Sequence, residues 1–508
     1  MFSALLISHL LKKEMTMGSQ RRLLIANRGE IALRIIRTAQ ESGFHTVAIY
    51  PKDDEASLHV RRADEAVRLS GVGPAAYLDI DEITSIAVAT NCQMVHPGYG
   101  FLSESGSFVR SIEKTGIVFV GPTAEQMELF GNKSAACNYA REKTIPVLGS
   151  SATFKSCDEF VKLFENSVPR KPHIIKAVSG GGGRGMRVVR IGDDIRKLWD
   201  QAEAEALTAF GDGRLYAEEY CDVARHIEVQ VVGDGQGNVT HLWERDCSLQ
   251  RRHQKLVEIT PAPSLDSGLR KKLLDAAVSL ATEVQYRGIG TFEFLVDVET
   301  SNYFFIEANP RLQVEHTITE EVLGLDLICI QFEIALGRSL ENLSLLTPPP
   351  IKGTALQLRI NAEKMNEDGK ISSVGGVVSQ FEPSAGPGVR VDTAAHNLYT
   401  MHPSFDSLLA KLIIYSHGSD QQKLLTKAGR VLSEFVIDGL PTNRSLISAL
   451  VKRPEIALGK VTTGFVEENW ESLFSASEKL PKKQRTDADE VKESTTTSIP
   501  AGLRAAKA

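Results

Sequence analysis

An α/β fold opening on a parallel sheet with covering helices is predicted by two observations. From Arg21 a strand (Leu23 to Ala26), a tight turn (Asn27-Arg28-Gly29), an amphipathic helix (about Glu30 to Ser42) and a strand (Thr46 to Tyr50) follow in succession. Such a β-α-β order is the unit of a parallel sheet. Short apolar runs that end in Pro and Gly come later, at Met94-Val95-His96 before Pro97-Gly98 and at Val118-Phe119-Val120 before Gly121-Pro122. They read as further strands.

With 508 residues the chain has room for about two to four domains. The first unit, 21–130, ends after the strands just named. A second, 131–340, holds a glycine run and a strand pair around Ile227 to Val232 and Val239 to Leu242, joined by Gly-Asp-Gly-Gln-Gly. Leu346-Thr347-Pro348-Pro349-Pro350 is a stiff boundary. A third unit, 350–474, contains alternating stretches at Ala355 to Ile360 and Gly388 to Asp392 and then helical patterns to about Phe474. Residues 475–508 are polar and lack aromatics, and are expected to be disordered. No internal duplication occurs.

Apolar content of 42%, charged content of 24% and a net charge of −6 describe an ordinary globular chain and do not suit a nucleic-acid binder. Six cysteines, at 92, 137, 157, 221, 247 and 329, show no CxxC or zinc spacing and read as thiols of a reducing compartment. No run reaches the roughly eighteen apolar residues of a membrane span, so no membrane partner is expected. The start, MFSALLISHLLKKEMTMGSQRR, has features of a weak mitochondrial presequence but carries Glu14 and no arginine before Arg21. Cytoplasmic residence is expected, with mitochondrial residence as the alternative.

Residues Lys176 to Val189 read KAVSGGGGRGMRVV. The literal G-x-G-x-x-G at Gly180, Gly182 and Gly185 is followed by β-branched residues instead of a helix start, which disfavours a dinucleotide turn. Met186 stands where a Walker loop requires lysine. A hairpin fits better: strand His173 to Ala177, a glycine flap, strand Arg187 to Ile191. Bare backbone N–H groups in such a flap suit phosphate, with Lys176 and Arg184 adding positive charge; a plain surface loop is the alternative.

A second hairpin lies in GTFEFLVDVETSNYFFIEANPRLQVEH, Gly290 to His316, with strands at about Thr291 to Val298 and Tyr303 to Ala308. A turn centred near position 300 sets Glu293 opposite Glu307. Two carboxylates so placed repel by about 4 kcal/mol at a separation of about 4 Å and an effective dielectric of about 20, so a cation between them is expected. Hard oxygen ligands completed by nucleotide phosphates suit Mg²⁺ or Mn²⁺; a one-residue slip would instead turn each glutamate to water. If the backbone stays extended beyond Glu307, as Pro310 encourages, Glu307, Asn309, Arg311, Gln313 and Glu315 share one face. That row offers metal ligands, a guanidinium to grip a small oxyanion and a carboxylate to take its proton; a solvated strand edge is the alternative. In RDCSLQRRHQKLVE, Arg245 to Glu258, the cluster Arg251, Arg252, His253 and Lys255 reads as a wet surface or as part of the same site.

In this order, LLIANRGEIALRIIR (23–37), HPGYGFLSE (96–104), GNK (131–133), KAVSGGGGRGM (176–186), RHIEVQV (225–231), ERDCSLQRRHQK (244–255), GTFEFL (290–295), FIEANPRLQVEH (305–316) and RINAE (359–363) resemble biotin carboxylase, the ATP-grasp component of biotin-dependent carboxylases. The wording is closest to the biotin carboxylase portion of multidomain acyl-CoA and pyruvate-type carboxylases. The resemblance implies an ATP-grasp fold with an N-terminal Rossmann-like (pre-ATP-grasp) domain, a lid at about 148–220 and a C-terminal biotin carboxylase domain.

It further implies nucleotide contacts from Lys133, Lys176, Gly182, Gly183 and Met186, an adenine hinge at Glu218 and Cys221, and approach of His226, Gln250 and His253. Glu293, Glu307 and Asn309 correspond to the metal ligands. Lys255, Arg311, Gln313 and Val314 match the bicarbonate site, Glu315 the base, and Arg359 the group that stabilises the biotin enolate. Implied cofactors are ATP, Mg²⁺ or Mn²⁺, and biotin as a substrate. With no A-M-K-M biotinylation sequence present, the biotin carboxyl carrier protein and the carboxyltransferase are expected in trans, and a homodimer through the helix around Arg37 and Glu41 is expected. Two departures stand out: Glu219 where many members carry lysine, and AAHNLYTMHPSFDSLLAKL (394–412), which lacks the usual glycine-tyrosine repeat. The rivals are a carbamoyl phosphate synthetase-type ligase, which would normally be a tandem duplicate, and a silent ATP-binding scaffold, which would not need Glu293, Glu307, Arg311, Glu315 and Arg359.

Overall fold

The computed structural model describes residues 20–149, 153–166, 171–179, 185–367 and 369–479. The expected flap positions Gly182 and Gly183, with Arg184, lie outside them, as does the tail from 480 onward. The first residues of the stretch expected to be disordered, 475–478, instead complete the helix Trp470–Glu478, which buries Leu473 and Ser477. The tight turn at Asn27-Arg28-Gly29 works because Gly29 adopts φ 65°, after which Gly29–Glu41 is helical and buries Ile31, Ile35 and Ile36. Arg22–Ile25 lies between His45–Tyr50 and Met94–His96, flanked by Glu65–Arg68 and Val118–Phe119, and every pair is parallel. The parallel sheet read from the sequence is therefore present, with its last strand shorter than expected.

The main body is one eight-stranded antiparallel sheet in the order Tyr303–Asn309, Arg287–Asp297, Ala224–Asp234, Val239–Arg251, Gln254–Thr260, Thr354–Asn361, Leu408–Ser416, Val389–Thr393. The strand pair around the Gly-Asp-Gly-Gln-Gly turn extends much further than its alternating core suggests, because both ends continue into charged residues that the fold buries. The sheet runs across the proline-rich boundary, since Gln254–Thr260 pairs with Thr354–Asn361 on its far side. Helix Gly29–Glu41 is fastened to the body by Arg34, which reaches Glu320 at 2.8 Å and Asp326 at 3.0 Å.

A smaller sheet of Met186–Val189, His173–Ala177 and Leu215–Glu219 occupies the segment expected to be the lid. Lys176 pairs with Met186 and His173 with Val189, as the flap hairpin requires. Phe160, Phe164, Trp199, Ala202 and Leu215 give this lid a core of its own. All six cysteines are free, and no helix among the described residues is long and apolar enough to cross a membrane.

Phe292 carries much of the packing behind the carboxylate hairpin: it is 1% exposed, with ring contacts to Phe130 at 5.2 Å and Phe305 at 6.3 Å. Phe292→Ala is expected to destabilise the body by about 3–5 kcal/mol. Denaturant unfolding checks this; an unchanged midpoint would mean that the hairpin is held by something other than its core face.

Candidate active site

The register that sets Glu293 opposite Glu307 is present, and it belongs to a longer rung. Arg245, Glu228, Glu293 and Glu307 are successive partners across four neighbouring strands, so their side chains share one face. Arg245 and Glu228 are fully buried and ion-paired. Arg245 also donates to Gln230 at 2.7 Å, Thr319 at 3.0 Å, Thr291 at 3.1 Å and Gln313 at 3.2 Å.

Lys255 reaches the rung from the next hairpin. Its Nζ lies 2.6 Å from Glu228, 2.7 Å from Glu315 and 3.3 Å from Glu293. Burial alone would lower its pKa, but those three carboxylates outweigh it and hold the ammonium well above the usual lysine range. Glu315 is pushed up by burial and pulled down further by Lys255, Arg359 and Arg245, so it is firmly ionised. Arg359 donates Nη2 to Glu315 at 3.0 Å and Nε to the fully buried Glu258 at 2.6 Å.

Glu293 is the most heavily engaged acid. It meets His226 Nε2 at 2.6 Å, Asn309 Nδ2 at 2.7 Å and Gln313 Nε2 at 2.7 Å. Burial pushes its pKa up, and the charges of Lys255 and His226 more than reverse that. Glu307, in contrast, is half exposed, and its ion pair among the described residues is with Lys133 at 3.7 Å. Asn309 turns its amide nitrogen toward Glu293 while its oxygen accepts from Arg311 at 2.8 Å.

Lys255, Glu293, Glu307, Asn309, Glu315 and Arg359 line one cleft of about 540 Å³, with Arg245, Glu228 and Glu258 buried behind it. Lys133, Lys176, Met186, Glu218 and Cys221 form its lid side, His226, Gln250 and His253 its middle, and Arg311, Gln313, Val314 and Arg359 the opposite end. Every described candidate residue is thus in one place. Lys176 is ion-paired with Glu218, and burial together with the nearby charge of Lys133 lowers its pKa. Cys221 donates to Asp297 at 3.6 Å, and burial plus that carboxylate push its thiol up to about 12, so it is an inert neutral wall. At the departure noted above, Glu219 pairs with Lys171 at 2.9 Å and its N–H donates to the Gly149 carbonyl at 2.7 Å.

One expectation fails. The backbone does not stay extended from Glu307 to Glu315: the strand ends at Asn309, the Arg311 N–H turns back to the Asn309 carbonyl at 2.8 Å, and Glu315 is the N-cap of helix His316–Leu323. The row reaches the cleft through a turn instead of along a strand. Arg311 also differs, since its Nε is held by Glu104 of the first unit at 2.6 Å. The charged cluster after Arg245 is divided: Arg251 is buried and the half-buried Lys255 enters the site, whereas Arg252 and His253 are exposed, His253 at the edge of the cleft. Its turn places Arg252 at φ 45° and His253 at φ 65°, an arrangement more usual for Asn-Gly, which points His253 into the cleft at a cost of about 1–3 kcal/mol per residue.

Sequence reasoning missed Glu228, Arg245 and Glu258. Alternation at Ile227-Glu228-Val229-Gln230-Val231 was the available signal, but a polar strand face ordinarily means solvent.

Comparison with known proteins agrees with this geometry. Residues 19–127 match the model for the biotin carboxylase N-terminal domain, 132–343 that for the carbamoyl-phosphate synthase L chain ATP-binding domain, and 357–468 that for the biotin carboxylase C-terminal domain. A biotin carboxylase of Nostoc sp. is 42% identical over 451 residues, covering 88% of this chain and 98% of that protein. The chain belongs to the biotin carboxylase family. It is an ATP-grasp ligase of that family, and the rival ligase class falls away. A pyruvate carboxylase of Aspergillus terreus is 43% identical over 92% of this chain, which spans only 39% of that longer protein. The solved biotin carboxylase domain dimer of a 2-oxoglutarate carboxylase from Hydrogenobacter thermophilus, in complex with MgADP, ADP and bicarbonate, has a TM-score of 0.82 and 36% identity, covering 90% of this chain and 99% of that one.

Arg245→Met tests the buried rung. It strands Glu228 without its closest guanidinium and leaves Gln313 short of a donor, so a loss of about 3–5 kcal/mol in unfolding free energy is expected. Arg245→Met together with Glu228→Gln should lose less than the single change, and a larger loss in the pair would show that the two groups do not compensate each other.

Proposed function

We propose that this chain carboxylates biotin: bicarbonate and ATP give carboxyphosphate and ADP, and carboxyphosphate then supplies the carboxyl group of carboxybiotin. The observation that carries the reading is the meeting of Lys255, Glu315 and Arg359 at one end of a cleft whose lid side holds Lys133 and Lys176. Two cations suit a triphosphate, and a base between two further cations suits a small anion that must lose a proton.

In this reading Lys133, Lys176 and the backbone at Gly182 and Gly183 hold the phosphates, with Met186, Glu218, Cys221, His226, Gln250 and His253 around the nucleotide. Glu293, Glu307 and Asn309 form an oxygen donor set fit for Mg²⁺ or Mn²⁺, whose chemistry when bound is to offset phosphate charge. The half-exposed Glu307 is ready for that task. Asn309 must first turn its amide over, since it now offers nitrogen to Glu293.

Arg311, Gln313, Val314 and Lys255 bind bicarbonate, and Glu315 takes its proton as a bicarbonate oxygen attacks the γ-phosphorus and the bond to ADP breaks. With Lys255 and Arg359 both upon it, Glu315 is a weak base. An arriving anion shares those cations and restores its basicity at the moment of need. Carboxyphosphate then separates into CO₂ and phosphate; the phosphate takes the ureido N–H proton, the nitrogen bonds to CO₂, and Arg359 steadies the developing oxyanion. Closure of the lid over the cleft protects carboxyphosphate from water. The reading calls for a protein that carries biotin, and the dimeric Hydrogenobacter relative supports self-association.

ATP turnover is expected to require bicarbonate and to rise with free biotin. Glu315→Gln should lower bicarbonate-dependent turnover by about 10²–10⁴-fold. Arg359→Met should cut carboxybiotin formation more deeply than ATP cleavage measured with bicarbonate alone. Hydrolysis indifferent to bicarbonate, or none, would refute the reading.

A further inference from the structure

Lys411 does not line the cleft, yet it touches the segment that the bicarbonate end is made of. It sits on the strand Leu408–Ser416 between Arg359 on one neighbouring strand and Asp392 on the other, and its side chain is fully buried. Its Nζ lies 3.1 Å from Glu30 of the first helix and 3.8 Å from Asp392, and it donates to the Val314 carbonyl at 3.2 Å. An ammonium shut away from water must find fixed acceptors. The two carboxylates would satisfy its charge by themselves, so the carbonyl is the informative partner.

That carbonyl belongs to the peptide plane joining Val314 to Glu315. Glu315 is the N-cap of helix His316–Leu323 but makes no side-chain cap, because its carboxylate turns instead to Lys255 and Arg359. The residue is therefore gripped twice: by its side chain from within the cleft, and by its preceding peptide from behind it. The geometry points to Lys411 as a positioning residue that fixes the Val314–Glu315 peptide and so sets how both residues meet bicarbonate. This rests on the function proposed above. It also ties the bicarbonate end to the first helix, since Glu30 and Val314 share the one ammonium.

The test is steady-state kinetics with bicarbonate varied at saturating ATP, and ATP varied at saturating bicarbonate. Lys411→Met is expected to raise the KM for bicarbonate by about tenfold or more while leaving that for ATP within about twofold. Because this change strands two carboxylates, Lys411→Met with Asp392→Asn is the companion variant: it removes one charge of each sign, and the same rise in bicarbonate KM is expected. A merely structural lysine would lower the unfolding midpoint and the active fraction without moving that KM, so an unchanged bicarbonate KM in either folded variant overturns the assignment. A parent chain indifferent to bicarbonate would overturn the function and this inference together, whereas an active parent with unaltered variants removes only the role of Lys411.

Discussion

Three carboxylates, Glu228, Glu293 and Glu307, stand side by side across adjacent strands, with Arg245 at the inner end of the row. Like charges in direct cross-strand contact destabilise a sheet, and two of these acids are buried, where the penalty is larger. The surrounding architecture answers that repulsion. Arg245 pairs with Glu228, Lys255 bridges Glu228, Glu293 and Glu315, and His226 backs Glu293. At the Glu307 end the ion pairing among the described residues thins to one long contact, from Lys133 at 3.7 Å. The row thus grades from a closed, neutralised end at Glu228 to a half-exposed, lightly compensated one at Glu307.

Much of this was legible from the chain alone, for reasons that differ by residue. Glu293 faces Glu307 because a hairpin turn near position 300 dictates which residues meet, and local geometry of that kind survives folding intact. Arg311, Gln313 and Glu315 line the same cleft although the extended backbone assumed for them does not exist beyond Asn309. A turn and the start of a helix bring them round. Glu228, Arg245 and Glu258 were hidden because their burial depends on strands and helices far away in sequence that cover both sheet faces. The link between Arg311 and Glu104, 207 positions apart, is likewise a product of assembly.

The eight-stranded sheet also fixes the spacing of several charged groups in and behind the cleft. Glu307 stands on one outer strand, Lys255 and Arg359 on strands in the middle, and Asp392 on the far outer strand. Continuous backbone pairing links these four positions, so their spacing is set by strand separation and side-chain length, whereas Arg311, Gln313 and Glu315 are brought round by the turn after Asn309. Buried ion pairs such as Arg34 with Glu320 then fasten the parallel sheet to that frame.

The lid is built on a different plan. Its aromatic cluster of Phe160, Phe164 and Trp199 is separate from the cores of the body. Its apolar packing is thus its own and is not shared with the eight-stranded sheet. The acid–base constellation and the aromatic cluster of this small sheet therefore answer to separate sets of side chains, and a substitution in one leaves the packing of the other alone.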